Sequence, residues 1–288
     1  MKAVIMVRTT TADFARMKAE GRPIPMVTCY DYASALIVAR AGLRFILVGD
    51  SLGQVMLGHD DTLRVSLDEM ISHSAAVVRG APDALVIGDL PFLSYAMVDD
   101  AVRSAGRMMR EAGVRAVKLE GGRSMAPIVR RMVELGIPVV GHLGFTPQSA
   151  HQIGIRVQGR TLETAADLIA DAHALEQAGA CAVVLELVPA PLAAAITKRL
   201  KVPTIGIGAG AGCSGQVQVW HDLLGLFDRP PFRHARQYAA IGPAIEEALR
   251  GYAGEVTAGV FPTAANAASM DEGLVAEAVA RFEAAEGC

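Results

Sequence analysis

The chain has 288 residues, of which 52% are hydrophobic, 5% aromatic and 20% charged, and this composition excludes a disordered, fibrous or disulfide-scaffold protein. The net charge is −3, from 27 Lys and Arg against 30 Asp and Glu residues, so no global positive field would attract a nucleic acid or an anionic membrane. We therefore expect small molecules, or copies of the chain itself, as partners.

Short apolar runs rich in β-branched residues recur along the chain and predict buried strands. Because the runs lack strict alternation of polar and apolar residues, they are typical of parallel strands that are buried on both faces. The predicted strands span residues 26–31, 45–50, 85–90, 116–121, 139–144, 182–187 and 204–210, with a weaker eighth candidate at 217–222.

Helical patterns with recognisable ends lie between these strands. Ser66 and Glu69 form a capping-box pair at the start of one of them. Glycine follows three others and marks their ends. The predicted helices span residues 71–79, 98–112, 126–135 and 161–178, and an amphipathic helix at 12–19 precedes the first strand. From residue 238 onward we expect one or two outer helices.

The repeat of strand and helix indicates a (β/α)8 barrel. Between the ends of the first and eighth candidates lie 191 residues in seven intervals, about 27 residues each, close to the βαβ unit of about 30. We predict one domain over residues 1–288, with the barrel core at about 24–250, a helical extension at about 251–288, and helix 12–19 closing the opposite barrel mouth. A doubly wound open sheet is disfavoured because no GxGxxG turn follows the first strand.

Ionisable and polar side chains stand at the ends of five successive predicted strands. They are Asp50, Ser51, Asp89, Lys118, Glu120, His142 and Glu186. Each alone could serve as a helix cap, but in a barrel all of them converge on one face. Two long connections, residues 51–65 and 143–160, also lie on that face.

Four acids, one lysine and one histidine leave negative charge that a barrel mouth can bury only if a further cation compensates it. Oxygen ligands without nearby cysteine favour Mg²⁺ over Zn²⁺. Such an ion could chelate a 2-oxo acid and stabilise its enolate.

The remaining features indicate a cytoplasmic protein. The cysteines Cys29, Cys181, Cys213 and Cys288 lack zinc-site spacing, so we expect reduced thiols. The apolar run at 3–7 is too short for a secretory signal, and the longest apolar stretch, 182–196, falls short of the roughly 20 residues that cross a bilayer.

Several motifs resemble the ketopantoate hydroxymethyltransferase (3-methyl-2-oxobutanoate hydroxymethyltransferase) family, from about Thr10 to about Pro262. They are TCYDYASA at 28–35, VGDSLGQVMLGHDDTL at 48–63, DLPF at 89–92, KLEGG at 118–122, GHLGFTPQS at 141–149, LELVP at 185–189, GIGAG at 206–210 and GQVQVWHDLLGL at 215–226. The resemblance implies a TIM barrel of the phosphoenolpyruvate/pyruvate type, usually a homodecamer. It also implies transfer of a hydroxymethyl group from 5,10-methylenetetrahydrofolate to 3-methyl-2-oxobutanoate in pantothenate synthesis.

The same resemblance implies a role for each candidate residue. Asp50, Asp89 and Glu120 match the Mg²⁺ ligands of the family. The oxo acid would be held by Asp50, Ser51, Asp89 and Lys118, with His142 steadying it. Glu186 matches the proton acceptor.

The chain departs from the family pattern at Ser214, where an Asp is usual, and over residues 263–270. We expect both departures to affect the folate side of the pocket rather than the metal. Two alternatives remain. A lyase of the same barrel superfamily would need a Cys-bearing catalytic loop, and a non-catalytic scaffold would have no physical reason to keep so many buried charges.

Overall fold

The computed structural model describes residues 8–227 and 232–286. Eight parallel strands close into a barrel in chain order, with the first strand paired to the last, as the strand and helix repeat predicts. The strands are β1 Ile24–Thr28, β2 Phe45–Val48, β3 Leu85–Asp89, β4 Ala116–Glu120, β5 Val139–Gly144, β6 Ala182–Glu186, β7 Thr204–Ile207 and β8 Gly215–Gln218.

Twelve α-helices accompany the strands in the described part of the chain. They are α1 Thr11–Ala19, α2 Tyr32–Arg40, α3 Leu52–Val55, α4 Leu67–Gly80, α5 Val98–Arg107, α6 Ala126–Glu134, α7 Ala150–Ile153, α8 Leu162–Gln177, α9 Ala190–Arg199, α10 Trp220–Leu224, α11 Ile241–Thr257 and α12 Glu272–Glu286. The predicted capping box at Ser66 begins α4, where the serine hydroxyl accepts from the Glu69 amide. A π-helical turn at Met108–Ala112 extends α5.

Every second strand residue points into the barrel, so each strand places a short column of side chains there. In the lower, N-terminal half these side chains are apolar and form one buried cluster. It contains Phe14, Ile24, Met26, Phe45, Leu47, Leu85, Ile87, Ala116, Val140, Ala182, Val184, Ile205 and Val217. Continuing the same alternation upward brings Asp89 after Ile87, Lys118 after Ala116 and Glu186 after Val184.

Helix α1 closes the lower mouth, as predicted. Phe14 is fully buried, and its ring stacks on Phe45 with centroids 4.9 Å apart. Lys18 Nζ donates to the carbonyl oxygens of Thr197 and Val202, each at 2.8 Å, which anchors the helix to the chain around the end of α9. Helix α1 is thus held by apolar contacts inside the barrel and by hydrogen bonds at its rim.

The first and last strands differ most from their predicted bounds, whereas β2 to β7 begin where predicted and, apart from β5, end one to three residues early. The predicted eighth strand, 217–222, is wrong in its second half, because the chain turns into α10 at Trp220. Strand β1 begins two residues before the predicted run and contains Pro25. This proline is tolerated because pairing with β2 starts only at Met26, so its missing N–H removes no hydrogen bond on that side.

The two C-terminal helices project from the barrel. No residue of α11 or α12 is buried, and α11 runs continuously across residue 250, so the division of core and extension there stays a prediction. None of the described helices has the length and apolarity needed to cross a membrane. Cys29, Cys181 and Cys213 carry free thiols, whereas Cys288 and residues 3–7 lie outside the described residues.

Candidate active site

The ionisable residues predicted from the strand ends meet at the upper, C-terminal mouth of the barrel. Asp50, Asp89, Lys118, Glu120 and His142 are between 1% and 6% exposed. The Glu186 side chain lies nearer to solvent and is 18% exposed. The structure therefore brings these residues into one site at the base of the mouth.

Strand register sets the first contact in this site. Asp89 of β3 is directly opposite Lys118 of β4, and Lys118 Nζ donates to Asp89 Oδ1 at 2.5 Å. Burial lowers the pKa of Lys118, but the surrounding Asp89, Glu120 and Asp50 carboxylates outweigh it and raise the pKa above its usual range. The lysine is therefore a fixed positive charge in the middle of the acids.

His142 links two carboxylates. Its Nδ1 lies 3.2 Å from Glu120 Oε1, and its Nε2 lies 3.2 Å from Glu186 Oε2. Burial and the Lys118 charge lower the pKa of His142, but the two glutamates outweigh them and raise it to about 9. The imidazole is therefore cationic at neutral pH, and it holds Glu186 on the open side of the site.

Negative charge still exceeds positive charge in the buried part of the site. Burial first, and then the Asp89 and Glu120 carboxylates, raise the pKa of Asp50 well above its usual value. Burial also raises the pKa of Asp89 against the pull of Lys118. Two cationic groups thus face four acids, and the arrangement favours a further cation.

Ser51 lies beside this cluster at the start of α3. Its hydroxyl is 2.9 Å from the hydroxyl of Tyr30, a fully buried residue that follows β1. The adjacent Asp50 N–H donates to Asp89 Oδ2 at 3.3 Å. The turn after β2 therefore places a hydroxyl and a carboxylate at the barrel mouth together.

The backbone around Glu186 is unusually constrained. Leu187, the next residue, has a φ of 47°, a left-handed conformation that is costly for a residue with a branched side chain. Gly144 of the neighbouring strand has a φ of 93°, and a Cβ at that position would collide with the Glu186 carbonyl. The same carbonyl accepts from the Phe145 N–H at 2.8 Å, so the candidate base is held by its backbone as well as by His142.

Two residues that the sequence reasoning did not select complete the buried network. The Gln148 side chain donates to Asp50 Oδ2 at 2.8 Å, and its backbone N–H donates to Glu120 Oε2 at 3.0 Å. Tyr95 donates to Gln148 Oε1 at 2.5 Å. Both lie in connections rather than at strand ends, and the only available signal was the GHLGFTPQS motif that contains Gln148.

The donor set fits a hard divalent cation in its chemistry. Glu120 Oε1 is buried and accepts no well-aligned hydrogen bond, although His142 Nδ1 lies 3.2 Å away. The neighbouring acids offer only oxygen ligands, which Mg²⁺ prefers. No three His, Cys, Asp or Glu side chains within residues 8–227 and 232–286 already stand in a metal-binding arrangement. Binding an ion would therefore require Asp50, Asp89 and Glu120 to draw together.

Ser214 lies at the other end of the barrel. Its N–H donates to Thr204 Oγ1, and its hydroxyl accepts from the Thr204 N–H, each at 3.3 Å, beside the first residue of β7. The expected effect of Ser214 on the folate side of the pocket is therefore wrong, since the chain returns to the lower face before β8 begins. Residues 263–270 lie in the exposed extension.

Comparisons with solved structures agree with the barrel. Phosphonopyruvate hydrolase superposes with a TM-score of 0.61 at 14% identity, covering 97% of this chain and 98% of its own. 2,3-Dimethylmalate lyase, a PEP mutase/isocitrate lyase superfamily member, gives 0.57 at 17% identity over 94% and 98%. At these identities the likeness concerns the fold alone, and it agrees with the predicted (β/α)8 barrel.

Sequence comparisons give much higher identities than these solved structures. A 3-methyl-2-oxobutanoate hydroxymethyltransferase of Chloroflexus aggregans is 60% identical over 277 residues, covering 96% of this chain and 99% of the relative. Another from Gluconacetobacter diazotrophicus is 58% identical over 264 residues, covering 92% and 96%. The family model described as ketopantoate hydroxymethyltransferase matches residues 8–264. The chain therefore belongs to the ketopantoate hydroxymethyltransferase family.

Proposed function

We propose that the chain transfers a hydroxymethyl group, in a Mg²⁺-dependent reaction, from 5,10-methylenetetrahydrofolate to 3-methyl-2-oxobutanoate. The products are 2-dehydropantoate and tetrahydrofolate, a step of pantothenate synthesis. The proposal is carried by one observation: a buried cation, Lys118, and a partly exposed base, Glu186, share one site and are joined through Glu120 and His142.

The oxo acid would bind with its two oxygens toward the buried acids and Lys118. Lys118 Nζ is close enough to Asp89 to stay charged when the substrate arrives, so it can stabilise charge that develops on the keto oxygen. The Ser51 hydroxyl, already paired to Tyr30, would fix one end of the substrate. Small 2-oxo acids fit this mixture of anion-compensating and hydrogen-bonding groups.

Glu186 would remove the proton from C3 of the oxo acid. Its contact with His142 at 3.2 Å orients the carboxylate, and its partial exposure leaves the carboxylate open to substrate. The resulting enolate carbon attacks the methylene carbon of the folate as the bond from that carbon to one folate nitrogen breaks. A water then displaces the second folate nitrogen and supplies the hydroxyl oxygen. The two nitrogens of tetrahydrofolate take up two protons, the one removed from C3 and one from the water. General-base removal of the proton contributes about 10²–10⁴-fold to the rate.

Asp50, Asp89 and Glu120 would hold the Mg²⁺. When bound, the ion would supply Lewis-acid polarisation of the oxo acid oxygens. It would also offset the burial and the carboxylate repulsion that raise the pKa of Asp50 and Asp89 in the protein alone. Glu120 Oε1 supports this assignment, since it is buried and has ion-pair contacts with His142 and Lys118 but accepts no hydrogen bond, and a buried polar atom without a hydrogen bond is costly.

The lyase alternative is disfavoured by the cysteines. Burial raises the pKa of Cys29 to about 11 and that of Cys181 to about 12, and burial also raises the pKa of Cys213. Thiols in this state are poor nucleophiles and poor acids at neutral pH. Cys181 also precedes β6 and so lies at the lower end of the barrel.

We further propose that the chain assembles as a homodecamer in the cytoplasm. The apolar side chains of α11 form one exposed stripe at helical spacing, which supports burial against other copies. The stripe contains Ile241, Ile245, Leu249, Tyr252 and Val256. The free thiols of the described cysteines support a reducing compartment. Native mass spectrometry would test the assembly, and a stable monomer would contradict it.

The function is tested by product analysis. The protein is incubated with 3-methyl-2-oxobutanoate and with 5,10-methylenetetrahydrofolate carrying ¹³C in the methylene group. Mass spectrometry should find the label in 2-dehydropantoate, with product lost in EDTA and restored by Mg²⁺. Absence of labelled product with an intact, folded protein would contradict the proposal, and unchanged turnover in EDTA would contradict its metal dependence.

A further inference from the structure

We propose that Gln148, supported by Tyr95, is a positioning residue that directs one oxygen each of Asp50 and Glu120 toward a shared divalent cation. The inference rests on the proposed magnesium dependence and adds to it. It assigns a role to two uncharged residues, neither of which is a ligand.

Gln148 fixes both carboxylates from one point. Its Nε2 donates to Asp50 Oδ2 at 2.8 Å and to the Leu90 carbonyl at 2.9 Å, so both amide hydrogens are used. Its backbone N–H donates to Glu120 Oε2 at 3.0 Å. Because Gln148 is only 6% exposed, these hydrogen bonds form away from competing water.

Tyr95 determines how the Gln148 amide is turned. The tyrosine hydroxyl donates to Gln148 Oε1 at 2.5 Å and accepts from the Glu120 N–H at 3.3 Å. The Leu90 carbonyl can only accept, so the opposite end of the amide must carry Nε2. The two contacts leave one orientation of the side chain, in which its donor faces Asp50.

The carboxylate oxygens that already have partners indicate where a cation would bind. Gln148 occupies Oδ2 of Asp50 and Oε2 of Glu120, while Glu120 Oε1 accepts no well-aligned hydrogen bond and faces His142 Nδ1 at 3.2 Å. Asp89 has Oδ1 on Lys118 and Oδ2 on the Asp50 amide at the longer distance of 3.3 Å. Gln148 therefore anchors Asp50 and Glu120 through one oxygen each, which is how groups around a metal orient its carboxylate ligands.

The neutral charge of Gln148 matters for this role. A lysine or arginine at this position would compensate the acids itself and compete with a cation, whereas a glutamate would add to their repulsion. An amide donates to both carboxylates without changing the charge of the site. The excess negative charge that attracts a divalent ion is thereby preserved.

The test measures Mn²⁺ binding by electron paramagnetic resonance, with Mg²⁺ competing for the same site. Gln148→Met removes the amide at similar volume, and Tyr95→Phe removes a single hydroxyl, so one variant stays informative if the other fails to fold. The matched control is Gln177→Met, an exposed glutamine at the end of α8. We expect each site variant to weaken Mn²⁺ binding about 10–100-fold, with the control unchanged.

A second readout separates positioning from a merely structural role. The rate at which C3 of 3-methyl-2-oxobutanoate exchanges its proton should need more Mg²⁺ in Gln148→Met and recover at saturating Mg²⁺. Wild-type Mn²⁺ affinity in both folded variants would overturn this inference and leave the proposed function standing. Absence of Mn²⁺ and Mg²⁺ binding by the wild-type protein would overturn the proposed metal site and this inference with it.

Discussion

The two ends of the barrel interior are built by the same strands and have opposite chemistry. At the lower end, the inward side chains and Phe14 form a dry apolar cluster. At the upper end, the next inward positions carry Asp89, Lys118, Glu120, His142 and Glu186, with almost as little exposure for all but the last. Burial of apolar surface stabilises the fold at about 25 cal/mol per Å², whereas burial of charges costs free energy unless partners compensate it.

Because of this contrast, the lower end of the barrel interior should determine stability and the upper end should determine activity. Substitutions at the lower end should lower the free energy of unfolding and leave the chemistry of folded molecules intact. Substitutions at the upper end should remove ligands or the base and affect activity far more. Asp83 and Asp89, which flank the two ends of β3, allow a direct comparison.

The largest effect is expected for Asp89→Asn. The variant loses a proposed metal ligand and the anionic partner of Lys118, so the C3 exchange rate should fall by about 10²–10³-fold and Mg²⁺ affinity should also fall. Proton NMR and calorimetric titration measure the two quantities. Asp83→Asn, below the strand, is the control and should match wild type. Equal behaviour of the two variants would remove Asp89 from the site.

Phe14→Ala should act on stability alone. Deleting a fully buried phenylalanine that stacks on Phe45 leaves a cavity and should cost about 3–5 kcal/mol of unfolding free energy, measured by urea denaturation. The exchange rate per folded molecule should stay at the wild-type value, because helix α1 lies at the far end of the barrel. A large loss of activity in fully folded Phe14→Ala would break the separation of the two ends.

A smaller effect is expected from Cys181, which packs against the lower cluster and donates to the Val139 carbonyl at 3.2 Å. Burial raises its pKa to about 12, above the unfolded value of about 8.5. At a pH between these two pKa values, the folded protein therefore holds one more proton than the unfolded chain. The protonated Cys181 thiol contributes fully to stability below about pH 8.5, which is the unfolded pKa. Above that pH its contribution is lost by about 1.4 kcal/mol per pH unit.

Cys181→Ala isolates that contribution. Urea denaturation in the presence of reductant, repeated from about pH 8 to about pH 10 across the unfolded thiol pKa, should show wild-type stability falling faster than that of the variant. Parallel curves would mean that the thiol ionises as readily in the folded protein as in the unfolded chain.

The strands were predictable where apolar content alone defines them. Strands β2 to β7 begin at their predicted residues, where each buried apolar run starts, and β5 also ends as predicted. Strand β8 does not, because its polar Gln216 and Gln218 give a weak signal and the apolar Val219 and Trp220 after them belong to the turn into α10. Strand β1 starts before its predicted run because Ile24 and Pro25 pair with β8, whereas pairing with β2 begins only at Met26.

The ionisable residues of the site could be predicted from the sequence. Charged side chains at successive strand ends are visible in the sequence and converge by the topology of the barrel. Gln148 and Tyr95 carry no charge and come from connections, so only coordinates show that they reach Asp50 and Glu120. Ser214 was misassigned for the same reason, because the direction in which a connection returns cannot be read from its residues.

The central claim is that Glu186 removes the C3 proton of the oxo acid at the upper end of the barrel. Proton NMR in D₂O, with Mg²⁺ and 3-methyl-2-oxobutanoate but no folate, measures this step by itself. The wild-type protein should exchange the C3 proton, and Glu186→Gln should be about 10²–10⁴-fold slower, with exposed Glu163→Gln as the control. Exchange at the wild-type rate in Glu186→Gln would contradict the account.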